Sequence, residues 1–333
     1  MQFQLDIQIK KPEEQIRYGQ KIMLMGSCFT EHIGKALQEL KFEVMQNPHG
    51  ILFDPASVCH SLLSYVEGKK YTENDLFYLN EVWATWHHHS RFSHLQQKDC
   101  LEQINHSQEK AHDFLRQADW LIITLGSSFS YRLTDQADKA SLSTGSAVAN
   151  CHRAPGQWFQ KHLMEIAESM ASLDQLIHRL RAFNPNLKLI FTISPVRHIR
   201  DGVVENNRSK ARLLESVHLL VNKFDRSWYF PAYELVIDVL RDYRFYDIDM
   251  VHPNYPATQF VMEKFMEAMV DEPSKWLSQE IRKIVIARNH KAFQTATKAH
   301  QQFLQQHLQL AQDLQAKYPM VDLREEIEYF RQA

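Results

Sequence analysis

Two hydrophobic patterns alternate along this chain: short, continuous apolar runs, and longer stretches in which apolar residues recur every three or four positions. The first pattern reads as buried strand and the second as amphipathic helix. Runs of the first kind occupy residues 22–25, 119–125, 187–193 and, more briefly, 227–230. Helical spacing covers residues 31–41, 56–67, 99–117, 157–183, 206–224, 233–240 and 255–270. Strands separated by helices of this length argue for a parallel sheet covered on both faces. The expected fold is therefore α/β: a three-layer α/β/α sandwich with a parallel flavodoxin-like sheet. Residues 22–25, 121–125 and 189–193 should be neighbouring strands whose carboxyl ends share one edge. Before them, Phe3, Leu5, Ile7 and Ile9 alternate with polar residues, as in an edge strand or extended arm. Residues 75–92 read as an irregular aromatic-rich excursion, and 143–155 as a Gly- and Ser-rich loop before a helix.

The pattern changes after Pro273. Residues 275–318 contain no glycine or proline, and Gln, Lys and His dominate. Phe293, Ala296, His300, Phe303, His307, Leu310 and Leu314 recur at spacings of three and four, a heptad-like stripe weakened by its histidines. One long or once-broken helix is expected here, ended by Pro319 and followed by a short helix through Phe330. The chain thus divides into an α/β domain, residues 1–272, and a helical C-terminal extension, residues 273–333. So sparse a stripe cannot stabilise a free helix. The extension is expected to pack on the domain or on a second copy, giving a homo-oligomer in the latter case.

The candidate chemistry lies where the first strand ends, at Met23-Leu24-Met25-Gly26-Ser27-Cys28-Phe29-Thr30. Gly26 allows a tight reversal, which lifts Ser27 to the carboxyl end of a strand and to a helix amino terminus. Unpaired backbone N–H groups and the helix dipole there favour developing negative charge. Ser27 or Thr30 could equally be an ordinary helix cap. Far downstream, Asp249-Met250-Val251-His252 offers a carboxylate and an imidazole on one turn of chain, the Asp able to orient a His that would deprotonate the Ser. Cys28 is the competing nucleophile, since a thiol at a helix start is activated. Geometry favours Ser27, because the residue directly after the glycine is carried on the tip while Cys28 and Phe29 turn inward.

These stretches resemble the GSCFA-domain family, a branch of the SGNH/GDSL hydrolase superfamily: Gly26-Ser27-Cys28-Phe29 matches its name, with Thr30 in place of the final Ala. Asn47-Pro48-His49-Gly50, Thr124-Leu125-Gly126, Asn150-Cys151-His152, Ser194-Pro195-Val196-Arg197-His198 and Asp242-Tyr243-Arg244-Phe245-Tyr246 extend the likeness over roughly residues 20 to 260. The resemblance implies an SGNH hydrolase-like fold and a serine esterase or deacylase acting on ester-linked acyl groups, on an acetylated carbohydrate or another small molecule. It implies Ser27 as nucleophile, His252 as base and Asp249 as its orienter. It places an oxyanion-hole glycine in the loop after the first helix, where Gly50 is the candidate and Asn47 its neighbour. The backbone N–H of Ser27 would join Gly50 there. Gly50 fits equally well as a glycine needed only for its positive φ. Where the superfamily has an oxyanion Asn, two residues after the strand-ending glycine, this chain has Ser128. Asn150 is a replacement candidate, though Asn is also an ordinary turn residue. Arg197 and His198, at the polar end of an apolar strand, face substrate or brace a loop.

Composition narrows the function without choosing a substrate. With 333 residues, 44% of them hydrophobic, the chain can bury one large core or one core plus an appendage. A net charge of −2 gives no polyanion signature, so nucleic acid is not expected as a partner. Cys28, Cys59, Cys100 and Cys151 are widely spaced and read as free thiols of a reducing compartment. No apolar run resembles a leader or a membrane span, so a cytoplasmic protein without membrane partners is expected. The triplet His87-His88-His89 does not read as a metal site, since neighbours on an extended chain point to opposite sides. One of the three is expected to line the substrate cleft or pair with Ser90, and no metal or cofactor is expected. Two further readings stand beside the esterase: an acyltransferase using the same triad, and a non-catalytic module that assembles through its tail helix, warranted by the missing Asn.

Overall fold

The computed structural model describes residues 5–291 and 293–332. In chain order its elements are β1 (Lys21–Gly26), α1 (Cys28–Glu39), β2 (Glu43–Gln46), α2 (Pro55–Glu67), β3 (Phe77–Leu79), β4 (Val82–Ala84), α3 (Gln97–Gln117) and β5 (Trp120–Leu125). There follow β6 (Phe129–Leu133), β7 (Ala147–Val148), β8 (Phe159–Leu163), α4 (Ile166–Phe183), β9 (Lys188–Ile193), α5 (Val203–Lys223) and β10 (Ser227–Tyr229). A short α6 (Ala232–Glu234) runs into a π-helical turn, Leu235–Leu240, and the chain ends in α7 (Tyr255–Met269), α8 (Glu272–Asn289), α9 (Lys298–Lys317) and α10 (Arg324–Gln332).

Five parallel strands form the central sheet in the order β10-β9-β5-β1-β2. β1 pairs with β5 from Ile22↔Trp120 to Gly26↔Thr124, and β5 with β9 from Trp120↔Lys188 to Leu125↔Ile193. The three strands expected to be neighbours are neighbours, and their carboxyl ends share one edge. Their runs are continuously apolar because both faces are covered. Met23, Met25, Leu121, Ile123, Leu189 and Phe191 pack against α2, α3, α4 and α5. Ile22, Leu24, Trp120, Ile122 and Ile190 turn the other way, against Phe29, Ile33 and Leu37 of α1 and Val261 and Phe265 of α7. Each such fully buried side chain contributes about 1.5–3 kcal/mol. β2 lies on one side of β1 and β5 on the other, so the sheet's direction of winding reverses between β1 and β5. Open α/β sheets bind ligands outside the carboxyl ends at that point.

Several local expectations give way. Residues 157–163 are not α-helical: a 3-10 turn, Gly156–Trp158, leads into β8, which pairs antiparallel with β6, itself paired with β7. Trp158, Phe159 and Leu163 satisfy a helical period, but aromatic residues on a half-buried ribbon are equally suited to a strand, and tertiary pairing decides. Residues 5–9 belong to no strand or helix, and Phe3 lies outside the described residues. The aromatic excursion holds a small hairpin, β3 with β4.

The tail is broken once, between α8 and α9. Phe293 is fully exposed outside either helix, and the buried side chains of α9 are Leu304, Ala311 and Leu314. Leu277, Ile281, Ile284, Leu304, Leu314, Leu323 and Phe330 give α8, α9 and α10 a core of their own. Buried Glu326 ties that bundle to the turn between α1 and β2, accepting an ion pair from Lys41 at 2.7 Å and another from Arg288 at 2.8 Å. Among the described residues, no helix is long and apolar enough to cross a membrane.

Candidate active site

Ser27 sits between the end of β1 and the start of α1, beside the reversal point of the sheet. The turn demands a glycine before it. Gly26 has φ 145°, and a Cβ there would lie 2.1 Å from the Thr124 carbonyl oxygen. The loop after β2 then fixes the turn from above. Gly26 N–H donates to Asn47 Oδ1 at 2.9 Å, and Leu52 N–H donates to the Gly26 carbonyl at 3.1 Å. Asn47, fully buried, thus holds the turn from behind and does not face an oxyanion.

Although Ser27 is the N-cap of α1, its hydroxyl makes no cap bond. It is buried and has no hydrogen-bond partner. Leaving a buried hydroxyl unpaired costs about 1–3 kcal/mol, so a native protein does so for a reason. Beside Ser27 lies Gly126, directly after β5. A Cβ on Gly126 would meet Phe53 Cβ at 3.0 Å, His198 Nε2 at 3.2 Å and Ser27 Cβ at 3.4 Å, so these three side chains converge on one point. His198 Nε2 is also buried and unpaired, and burial lowers its pKa to about 4, keeping the ring neutral. Cys28, next to Ser27, has its thiol pushed upward by burial despite the helix start.

Asp249 and His252 form a pair within one turn. His252 Nδ1 lies 2.6 Å from Asp249 Oδ2, while Asp249 Oδ1 accepts from the N–H groups of Val251 at 2.9 Å and His252 at 3.0 Å. Those backbone donors, with the imidazole, hold the Asp249 carboxyl at about 2. Met250 takes a left-handed φ of 58° to close the turn. Arg197 braces it: its N–H donates to Val251 O at 3.2 Å, its guanidinium donates to Met250 O at 3.3 Å, and it stacks 4.0 Å from the Tyr246 ring centroid. No hydrogen bond joins Ser27 to His252 among the described residues. The pair stands half-exposed at the same end of the sheet, close enough to His198 to act on its ionisation.

The oxyanion candidates divide. The N–H of Ser27 is taken by Thr124 O at 3.2 Å and that of Gly50 by Asn47 O at 2.7 Å, so neither points at the site. Gly50 is a glycine for structural reasons, with φ 88° and a Cβ position 2.1 Å from His89 Cβ. Ser128 is withdrawn too, its hydroxyl bonded 3.1 Å from both Ser209 O and Ser209 Oγ. Asn150, Arg197 and His198 instead line a cleft of about 790 Å³ beside Ser27, with Phe53, Phe129 and Tyr131. None of His87, His88 and His89 reaches that cleft, and none bonds to Ser90. His87 stacks on His60 with centroids 3.7 Å apart, His88 Nδ1 pairs with Thr85 Oγ1 at 2.7 Å, and His89 accepts from Arg91 N–H. No cluster of metal-ligating residues occurs among the described residues.

Three residues near the start of α5 escaped the sequence reading. Asn206 Oδ1 accepts from His198 N–H at 2.8 Å, Ser209 holds Ser127 and Ser128, and buried Lys210 donates to the carbonyls of Gly126 at 2.5 Å and Ser194 at 2.6 Å. The available signal was spacing: Asn206 and Lys210 fall in the same stripe as buried Leu213, Val217 and Leu220, where a solvated residue does not belong.

The structure thus joins a five-stranded parallel α/β sheet, a serine on its switch-point turn and an Asp–His pair at the same edge. The chain belongs to the GSCFA family, whose sequence model matches residues 21–265, and residues 281–333 match the C-terminal domain of GSCFA domain proteins. A search among curated proteins gave no match. Among solved structures the chain is similar to a carbohydrate esterase family 3 protein from Talaromyces cellulolyticus, with TM-score 0.36, 10% identity, and 79% of this chain and 99% of that one covered. It is similar to an acetyl xylan esterase from the rumen bacterium Butyrivibrio proteoclasticus, with TM-score 0.36, 11% identity, and 77% of this chain and 64% of that one covered. A mutant acetyl esterase solved with acetate ion gives TM-score 0.33 and 10% identity, covering 80% and 99%.

Proposed function

We propose that this protein is a serine esterase or deacylase of the SGNH type, acting on an ester-linked acyl group of a small molecule or carbohydrate. Ser27 Oγ attacks the ester carbonyl while His252 takes its proton, oriented by Asp249, and passes it to the departing alcohol. Water then adds to the acyl-enzyme, releasing the carboxylic acid and restoring Ser27. With the N–H groups of Ser27 and Gly50 engaged, the oxyanion falls to the open first turn of α1 and to side-chain donors at the cleft, neutral His198 through Nε2–H and Asn150. Catalytic hydrogen bonds commonly tighten only with substrate present, so the unmade Ser27–His252 bond is compatible with this chemistry. The observation that carries the reading is Ser27 itself, a buried hydroxyl that neither caps its helix nor bonds elsewhere, on the same edge as a 2.6 Å Asp–His pair.

The test is covalent labelling of the full chain with a fluorophosphonate at room temperature, followed by peptide mass spectrometry. The adduct is expected on Ser27 and absent from Ser27→Ala. A chain that takes up no label, or takes it up elsewhere, would sink the proposal.

A further inference from the structure

The cleft beside Ser27 has a charge that the whole chain does not. The protein carries a net −2, yet the cleft is lined by Arg153, Lys161, Arg197 and Arg200 against a single carboxylate, Asp201. Lys161 and Asp201 pair with each other, and Arg197 is committed to the turn that carries His252. Arg153 and Arg200 have no carboxylate partner among the described residues. They approach from different walls, Arg153 on the connection between β7 and β8 and Arg200 on the segment after β9. Arg200 lies near enough to act on the Cys151 thiol across the cleft. The histidines of the cleft add no charge, since burial lowers His152 and His198 to about 4. Aromatic side chains line the same cleft: Phe129, Tyr131 and Phe159. Lys161 sits 4.0 Å from the centroid of Phe129. At about 790 Å³ the space is that of a small-molecule site.

Unpaired guanidiniums in a cleft that also has aromatic lining suit a planar or cyclic group that carries a carboxylate or phosphate, because the guanidinium fork matches either anion bidentately. We propose that this cleft selects esters bearing a fixed negative charge, received by Arg153 and Arg200, with the ring of the substrate against Phe129, Tyr131 and Phe159. This rests on the reading of Ser27 as the nucleophile at the cleft's edge. It goes beyond that reading by naming the class of ester.

Hydrolysis by the full chain of para-acetoxybenzoate, para-acetoxyphenyl phosphate and the neutral methyl para-acetoxybenzoate separates the possibilities. At least one charged ester is expected to show kcat/KM about tenfold or more above the neutral one, and which one identifies the anion. Raising ionic strength from about 20 mM to about 300 mM should shrink that ratio. The Arg153→Gln, Arg200→Gln double variant should lower the charged-to-neutral ratio by about tenfold, mainly through KM. A wild-type ratio near one, or a double variant that leaves the ratio unchanged, overturns the proposal. If Ser27→Ala hydrolyses all three esters as fast as wild type, the nucleophile reading is what has failed. Charge selection is then read directly by calorimetry on the Ser27→Ala chain with benzoate and phenyl phosphate against neutral benzamide. Anion binding that the arginine substitutions abolish supports the proposal, and no preference for the anions overturns it.

Discussion

Ser27 and Cys28 share one helix start, and burial separates their chemistry. A thiol at that position is ordinarily activated, but desolvation raises the Cys28 pKa, and Cys28 packs on the face of the sheet lined by Phe29 and Ile33. Ser27→Ala is therefore expected to lose about a thousandfold or more in the rate of a short-chain nitrophenyl ester, whereas Cys28→Ala keeps the rate and loses about 1 kcal/mol of stability. An inactive Cys28→Ala beside an active Ser27→Ala would reverse the assignment, and His252→Ala, expected to fall with Ser27→Ala, serves as the control. At this scale the residues legible in the sequence were those whose geometry is local. Gly26-Ser27 and Asp249-x-x-His252 carry their arrangement within one turn of chain. Gly50 and Ser128 were assigned by place in a motif, but what their polar atoms do is decided by their partners. The Gly50 N–H is spent within its own turn, on the Asn47 carbonyl three residues back, whereas Ser209, 81 residues away, takes Ser128. No local pattern reveals such a partner.

Elements whose two faces are both covered were the easiest to read. Continuous runs such as Trp120-Leu121-Ile122-Ile123-Thr124-Leu125 admit few alternatives once helices flank them. The ribbon of β6, β7 and β8 was missed because it is only partly buried, and partial burial dilutes the period of two. α5 was found as a helix but not as the clamp of the site. Through Lys210 it holds the carbonyls that directly follow β5 and β9, and Gly126, one of the two, adjoins Ser27 and His198. Full burial without a carboxylate partner lowers the Lys210 pKa to about 7. Its unfolded value is near the ordinary 10.5. Between these values the unfolded chain holds a proton that the native chain has released, so native stability rises with pH from about 7 upward. Lys210→Met removes this dependence. The stability of wild type relative to Lys210→Met should grow by about 1.4 kcal/mol per pH unit across that window, measured by denaturant unfolding at pH 7, 8 and 9. A difference that stays constant would place the Lys210 charge in contact with water.

Taken whole, the molecule buries a group of histidines behind the loop that follows β2. His49, His87 and His88 lie inside, with His60 and His152 beside them. The His49 and His88 rings are 4.0 Å apart. His49 is fixed between Ser61 Oγ at 2.9 Å and Gln108 Oε1 at 2.7 Å. Desolvation dominates each of these groups: it lowers His49 to about 3 and His60 and His152 to about 4, and lowers His87 and His88 well below the ordinary range. The ring nitrogens Nε2 of His60, His87 and His88 have no hydrogen-bond partner, so no acceptor waits for an added proton. A depressed histidine is neutral in both states above about pH 6.5, where it has no effect on stability. Below that value the unfolded chain takes up protons that the native chain refuses. Each histidine then removes about 1.4 kcal/mol per pH unit until its native pKa is reached. Asp54 acts in the opposite sense: burial raises its carboxyl to about 6, so the native state binds its proton first and gains as pH falls toward the ordinary carboxylate value. One such carboxylate offsets about one histidine, which leaves several unopposed. Against a total stability of roughly 5–15 kcal/mol, that is enough to unfold the domain in mild acid. The melting temperature should therefore be nearly flat from pH 8 to about 6.5 and fall steeply below, with two or more protons taken up on unfolding near pH 5. Calorimetric scans at half-unit intervals of pH check this, and a melting temperature unchanged down to about pH 5 would show that the histidines are hydrated rather than buried in a dry core.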